Sequence, residues 1–247
     1  MRLIRILFYS ALIFGLAIYF YGDKDIETET EFSVEIEQDE LYEFQSLDNV
    51  PFQSLSLSCN CTVKLKQADN WSVAFEDKGK FSSLDGHVQD GTYYLTGGHS
   101  NWGSDEEVSV TISAPYLSRI ETSGTSTLES DGSFKTETLD LHLSGATEVE
   151  LDLNVSQLQV SLGGAAELEL SGSANQADYS INGAGELDAF DLKSSDVKLA
   201  ISGAGDAEVY VSNALDANVL GAGDVRYKGH PQHVRQHISG VGSIRAD

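Results

Sequence analysis

Acidic side chains recur two residues apart along the middle of this chain: Glu148 and Glu150, Glu167 and Glu169, Glu186 and Asp188, Asp206 and Glu208, with Asp224 following. Carboxylates in such numbers suit three kinds of chemistry. They supply oxygen ligands to a hard divalent cation, and Ca2+ is the cofactor they fit best because it accepts carboxylates in flexible geometry. They present a face to a cationic partner or to a cation-bridged polysaccharide. As an isolated pair they perform general acid and base work on a glycosidic bond. Here no uniquely placed acid, base or nucleophile breaks the pattern, so repetition argues for a surface over a catalytic site. The plain alternative is a solvated face that keeps a sheet soluble.

Other chemistry-bearing residues are sparser. Cys59 and Cys61 stand two apart in a strand-like run, on one face of it. A local disulfide, two free thiols and a metal site all stay open. The last is the weakest, because two thiolates without nearby His or further Cys make a poor zinc set. His230, His233 and His237 resemble a metal triplet only on a helix, and the strand pattern around them turns His237 outward. Trp102, in a Gly-rich and acidic loop from Gly97 to Glu107, is the one aromatic placed to contact a ligand, against the alternative of a lid on the core. The Gly-Ala-Gly corners lack the following helix that a phosphate cradle needs.

The elements that position these residues follow from a repeat. A corner recurs with leading glycines Gly124, Gly145, Gly164, Gly183, Gly203, Gly221 and Gly240, spaced 21, 19, 19, 20, 18 and 19. A fixed period of this size means a solenoid whose units bury their faces only against neighbours. Alternation on both sides of each corner makes the units strands. Leu128, Val149, Leu168, Leu187, Ala207, Val225 and Ile244 all stand four residues past the glycine and form an inward ladder. Others stand six, four and two residues before it, as in Leu158, Val160 and Leu162. Positions three and five then point outward and stack at about 4.8 Å from coil to coil. The expected fold is all-β, a parallel β-helix with coils of about 19 residues, each holding two longer strands and a short third one.

Residues 44–118 read as the first, less regular coils and a cap, and 119–247 as the regular repeat. Strands are expected at Phe52–Leu57, Cys61–Leu65, Trp71–Phe75, Thr92–Leu95 and Val108–Ile112, with turns at Asp69-Asn70, Lys78-Gly79, Asp85-Gly86, Asp90-Gly91 and Gly97-Gly98. Ahead of them, Arg2 and Arg5 precede an apolar run from Ile6 to Tyr21, an export signal. Its aromatic end favours a retained membrane anchor over a cleaved signal. Residues 23–43 form an acidic spacer in which Phe32, Val34 and Ile36 alternate as in an edge strand. From residue 23 onward 13 basic groups face 39 acidic ones, which repels a phosphate backbone and excludes nucleic acid.

The run Ser113-Ala114-Pro115-Tyr116-Leu117-Ser118-Arg119-Ile120, then Ser123-Gly124 and the succession of Ser-Gly-Ala-Gly corners, resembles the head GIN domain family of auto-transporter adhesins. The resemblance spans roughly residues 48 to 246. It implies an exported bacterial domain with a right-handed β-helix fold, and it brings no catalytic residues to carry over. Unlike an autotransporter, the chain is expected to have no outer-membrane barrel after the repeat. The combined expectation is a non-enzymatic envelope module, periplasmic and anchored or secreted, whose partners are an envelope polysaccharide or a surface protein. A scaffold that self-associates with divalent cations is the alternative, and a polysaccharide-active enzyme a weaker one.

Overall fold

The computed structural model describes residues 49–76, 84–97 and 108–247. The expected signal or anchor, the acidic spacer and the Trp102 loop lie outside the described residues. So do the turn at Lys78-Gly79 and part of that at Gly97-Gly98.

Strands β9 (Glu148–Leu162), β10 (Glu167–Ile181), β11 (Glu186–Ile201) and β12 (Asp206–Val219) each run most of one coil. Each pairs in parallel with the next. The register is the one the repeat dictates: Leu168 lies between Val149 and Leu187, and Ala207 pairs with both Leu187 and Val225. On the other side Leu158, Ala177, Val197 and Leu215 form a second ladder. All of these side chains are buried. In β10 the inward and outward alternation breaks at Ser171-Gly172 and again at Asn175-Gln176, giving the coil a long, a short and a long side. The corner itself is a hydrogen-bonded stack. The carbonyls of Gly145, Gly164 and Gly183 accept from Ala165, Ala184 and Ala204 of the following coils, at 2.8 to 3.0 Å.

At the start, β1 (Ser54–Gln67) pairs on one side with β4 (Thr92–Gly97) and β5 (Ser109–Ala114). On its other side lie β6 (Arg119–Thr122) and β7 (Thr125–Ser130), and β8 (Phe134–Leu143) leads into the regular coils. The two strands expected at Phe52–Leu57 and Cys61–Leu65 are therefore one. The chain passes the corner without leaving the ladder, at Cys59-Asn60-Cys61. Both cysteines face inward and are buried, and their Sγ atoms are bonded to each other.

A further strand, β3 (Leu84–Gln89), runs antiparallel to β4, as β2 (Ser72–Glu76) does to β5. This corrects the turn expected at Asp85-Gly86. Gly86 sits inside β3 because the phenol of Tyr93 crosses over it where a Cβ would stand, a close approach that favours glycine in a strand. The next pair, Asp90-Gly91, does turn, with positive φ at both residues as a two-residue hairpin requires.

Tyr93 is fully buried, and among the described residues its hydroxyl has no hydrogen-bond partner. Burial raises its pKa. Removing an unpaired buried polar group costs nothing in lost bonds and recovers its desolvation. Tyr93→Phe should therefore raise unfolding stability by about 1 kcal/mol, measured as an unchanged urea m-value with a higher midpoint.

Candidate binding surfaces along the solenoid

Two surfaces emerge from the columns. The first is the acidic wall. Glu148, Glu167, Glu186 and Asp206 pair in one column, and Glu129, Glu150, Glu169, Asp188 and Glu208 in the next. All except the half-buried Glu129 and Glu208 are exposed. At the far end the wall is compensated. Arg226 forms an ion pair with Glu208, and Asp224 accepts a 2.6 Å bond from the Ser243 hydroxyl, which leads in lowering its pKa. The Asp224 amide in turn donates to Asp206 at 2.8 Å. Among the described residues no group of three or more His, Cys, Asp or Glu side chains is arranged to hold a metal ion.

In the middle of the wall, among the described residues, the one such partner is the Phe190 amide, which donates to Asp188 at 3.1 Å, and no Lys or Arg is ion-paired there. The Glu169 carboxyl is raised above its ordinary pKa, first by desolvation and then by the charges of Glu150, Asp188, Asp191 and Glu167. A carboxyl whose folded pKa exceeds its unfolded one holds its proton more tightly in the native state. Its ionised form then opposes folding, and stability rises as pH falls from neutrality through the folded pKa. Glu169→Gln should melt higher than wild type at pH 7, and the gap should close as pH approaches 4.5. A gap of equal size at both pH values would show that charge is not the cause.

Of the second surface, one column reads from the sequence as part of a mixed outward face, at Asp140, Gln159, Asp178 and Lys198. At the bend after the short side, Thr138, Gln157, Gln176 and Asp196 stack in one column. Two residues on, Asp140, Gln159, Asp178, Lys198, Asp216 and Arg235 stack in another. Between them runs a groove of about 360 Å³, continued past Lys198 by one of about 640 Å³. The repeat carries the signal, since Gln157 and Gln176 are one period apart. Gln157, Gln176 and Asp196 stand at a bend where the inward and outward alternation lapses, so that column does not read as a face from one coil alone.

The groove's first coils are held by an ion cluster. Arg119 reaches Asp140 at 2.6 Å and also bonds Glu121, while His142 Nε2 lies 2.9 Å from Asp140. The bond to Glu121 leads in raising the Arg119 pKa. Further along, the Asn213 amide donates to Asp196 at 2.6 Å. The remaining groups, Gln157, Gln159, Gln176, Asp178 and Lys198, are exposed and supply donors and acceptors in alternation. His233 and His237 lie on the exposed strand β14 (His233–Ile238), and His230 just ahead of it.

Comparison with known proteins agrees with this architecture. A "putative adhesin" from Bacteroides fragilis NCTC 9343 superposes with a TM-score of 0.76 at 22% identity, covering 83% of this chain and 98% of that one. A "putative lipid binding protein" from Parabacteroides distasonis ATCC 8503 gives a TM-score of 0.65 at 22% identity, over 83% and 96%. A "putative adhesin" from Parabacteroides merdae ATCC 43184 gives 0.62 at 20%, over 83% and 95%. These likenesses establish the fold. No curated protein matches the chain. The family model described as "putative auto-transporter adhesin, head GIN domain" matches residues 51–231. By the β-helix, its corners and that match, the chain belongs to the head GIN domain family.

Proposed function

We propose that the protein is a non-enzymatic module of the cell envelope that binds an extended polysaccharide along its groove. The observation that carries this reading is the pair of polar columns. A polymer lying along the solenoid axis meets amides and carboxylates at the same offsets in successive coils, about 4.8 Å apart. The export signal at residues 1–22, whether retained as an anchor or removed, accords with work outside the cytoplasm. The family description as an adhesin accords with binding in place of turnover. In a panel of purified envelope polysaccharides, at least one should bind saturably to the full chain. Gln157→Ala/Gln176→Ala should weaken that binding tenfold or more without lowering the melting temperature. A variant that binds as well as wild type would move the site elsewhere.

A second reading rests on the uncompensated middle of the wall. Divalent cations between Glu167, Glu169, Glu186 and Asp188 would relieve like-charge repulsion and let two copies meet there. Calcium should then raise the melting temperature of wild type, and Glu167→Gln/Glu186→Gln/Asp206→Asn should abolish that rise. A variant as stable as wild type with no calcium effect in either leaves the wall as a solubility device.

A further inference from the structure

Where the chain passes from β5 to β6, Tyr116 stands 42% exposed. Its ring meets the half-buried Trp71 edge to face, with centroids 6.1 Å apart and planes at 77°. Trp71 is itself fixed. Its indole N–H donates to the Phe52 carbonyl at 2.8 Å, its carbonyl accepts from the Asn49 amide at 2.9 Å, and its ring packs on the core. The peptide ahead of Tyr116 is held as well, because the Gln67 side-chain amide donates to the Pro115 carbonyl at 2.9 Å. A ring ordered in advance spares a ligand the cost of ordering it.

An exposed aromatic residue alone needs no explanation. The place of this one carries the argument. Tyr116 lies two residues before Ser118, which lines the groove, and the Ser118 carbonyl accepts from the Asp140 amide of the next coil at 2.9 Å. It also lies three residues before Arg119, as Glu137 does before the paired Asp140. The same count back from Gln159, Asp178 and Lys198 gives Ser156, Asn175 and Ser195. These three, with Gln157, Gln176 and Asp196, border a further hollow of about 340 Å³ along the bend. Tyr116 therefore heads a line of polar side chains that runs along the groove, and it alone in that line offers a ring.

A pyranose unit has a rim of hydroxyls and a face of C–H groups. Amides, hydroxyls and carboxylates recognise the rim, whereas a flat aromatic surface covers the C–H face without leaving a polar group unpaired. We propose that Tyr116, backed by Trp71, is the saccharide subsite at the first end of the groove. One sugar unit stacks on its ring, and the polar columns hold the units that follow. The inference rests on the polysaccharide reading and adds to it an aromatic end that the reading does not use.

Calorimetry of the full chain tests it, with cellohexaose, chitohexaose and maltohexaose as probes beside the polysaccharides of the panel. For each probe that wild type binds, Tyr116→Leu, which keeps apolar bulk but loses the flat face, should weaken binding tenfold or more. Tyr116→Phe, which keeps the face, should bind within twofold of wild type, and unchanged circular dichroism would show that both variants are folded. Tyr116→Leu that binds as well as wild type, while Gln157→Ala/Gln176→Ala binds less, would overturn the subsite and leave the groove. Tyr116→Phe as weak as Tyr116→Leu would also overturn it, because the hydroxyl and not the ring face would then make the contact. Wild type that binds none of the probes would overturn groove and subsite together. Sedimentation velocity without saccharide covers the other occupant: a wild-type dimer that Tyr116→Leu abolishes would give the ring to a second copy and overturn the proposal.

Discussion

Gly164→Ala should destabilise the solenoid by about 3–5 kcal/mol. Two separate costs combine there. Gly164 has φ of +75°, where a Cβ crowds the following carbonyl, and a Cβ built on it would also stand 2.5 Å from the Gly145 carbonyl oxygen of the preceding coil. That oxygen cannot move aside, because it accepts the hydrogen bond from Ala165 that joins the two coils. The expected readout is a melting temperature lower by roughly 6–20 °C, at about 2–4 °C per kcal/mol for a domain of this size. Gly132 provides the control. Its φ is +82° but none of the described residues lies within 4 Å of its Cβ direction, so Gly132→Ala meets the backbone cost alone, about 1–2 kcal/mol. Equal losses at the two sites would mean that coil contact is not what selects glycine at the corners.

Leu187→Ala should cost about 2–5 kcal/mol, by loss of transfer energy and by the cavity left behind. Leu187 is fully buried, stacked in register between Leu168 and Ala207. Ala207 already has a short side chain at the next level, so the neighbouring coil has little volume with which to fill the gap. Because each coil contacts only adjacent coils, the loss of hydrogen-exchange protection should be greatest in β10, β11 and β12 and decline away from them. A uniform loss over the whole solenoid would instead show one cooperative unit.

Much of this fold was legible in the sequence because a solenoid writes its core at fixed offsets. The ladders from Leu128 to Val225 and the outward carboxylates follow from counting past each corner glycine. The first coils were read less well, for local reasons. Gly86 carries a turn signature, but its lack of a side chain serves the passage of Tyr93, a contact that no short-range pattern encodes. The corner at Cys59-Asn60-Cys61 contains no glycine, so β1 looked like two strands. The groove was half legible: Asp140, Gln159, Asp178 and Lys198 read as a mixed outward face, whereas Gln157, Gln176 and Asp196 sit at a bend where alternation lapses, and their polarity looks like ordinary solvent exposure until the coils are stacked. The exposed edge at β14 was hidden for the opposite reason. Val234 and Ile238 obey the inward pattern faithfully, and only the absence of a covering strand among the described residues exposes them.

Binding measured against polymer length tests the central claim most directly: function through columns repeated along the axis, without turnover. Fragments of one bound polysaccharide, graded by length, should bind the full chain with affinity that rises until the groove between Asp140 and Arg235 is filled and then levels off, and the polymer should be recovered intact. Affinity already complete with the shortest fragment, or cleaved polymer after incubation, would contradict the account and point to a single local site.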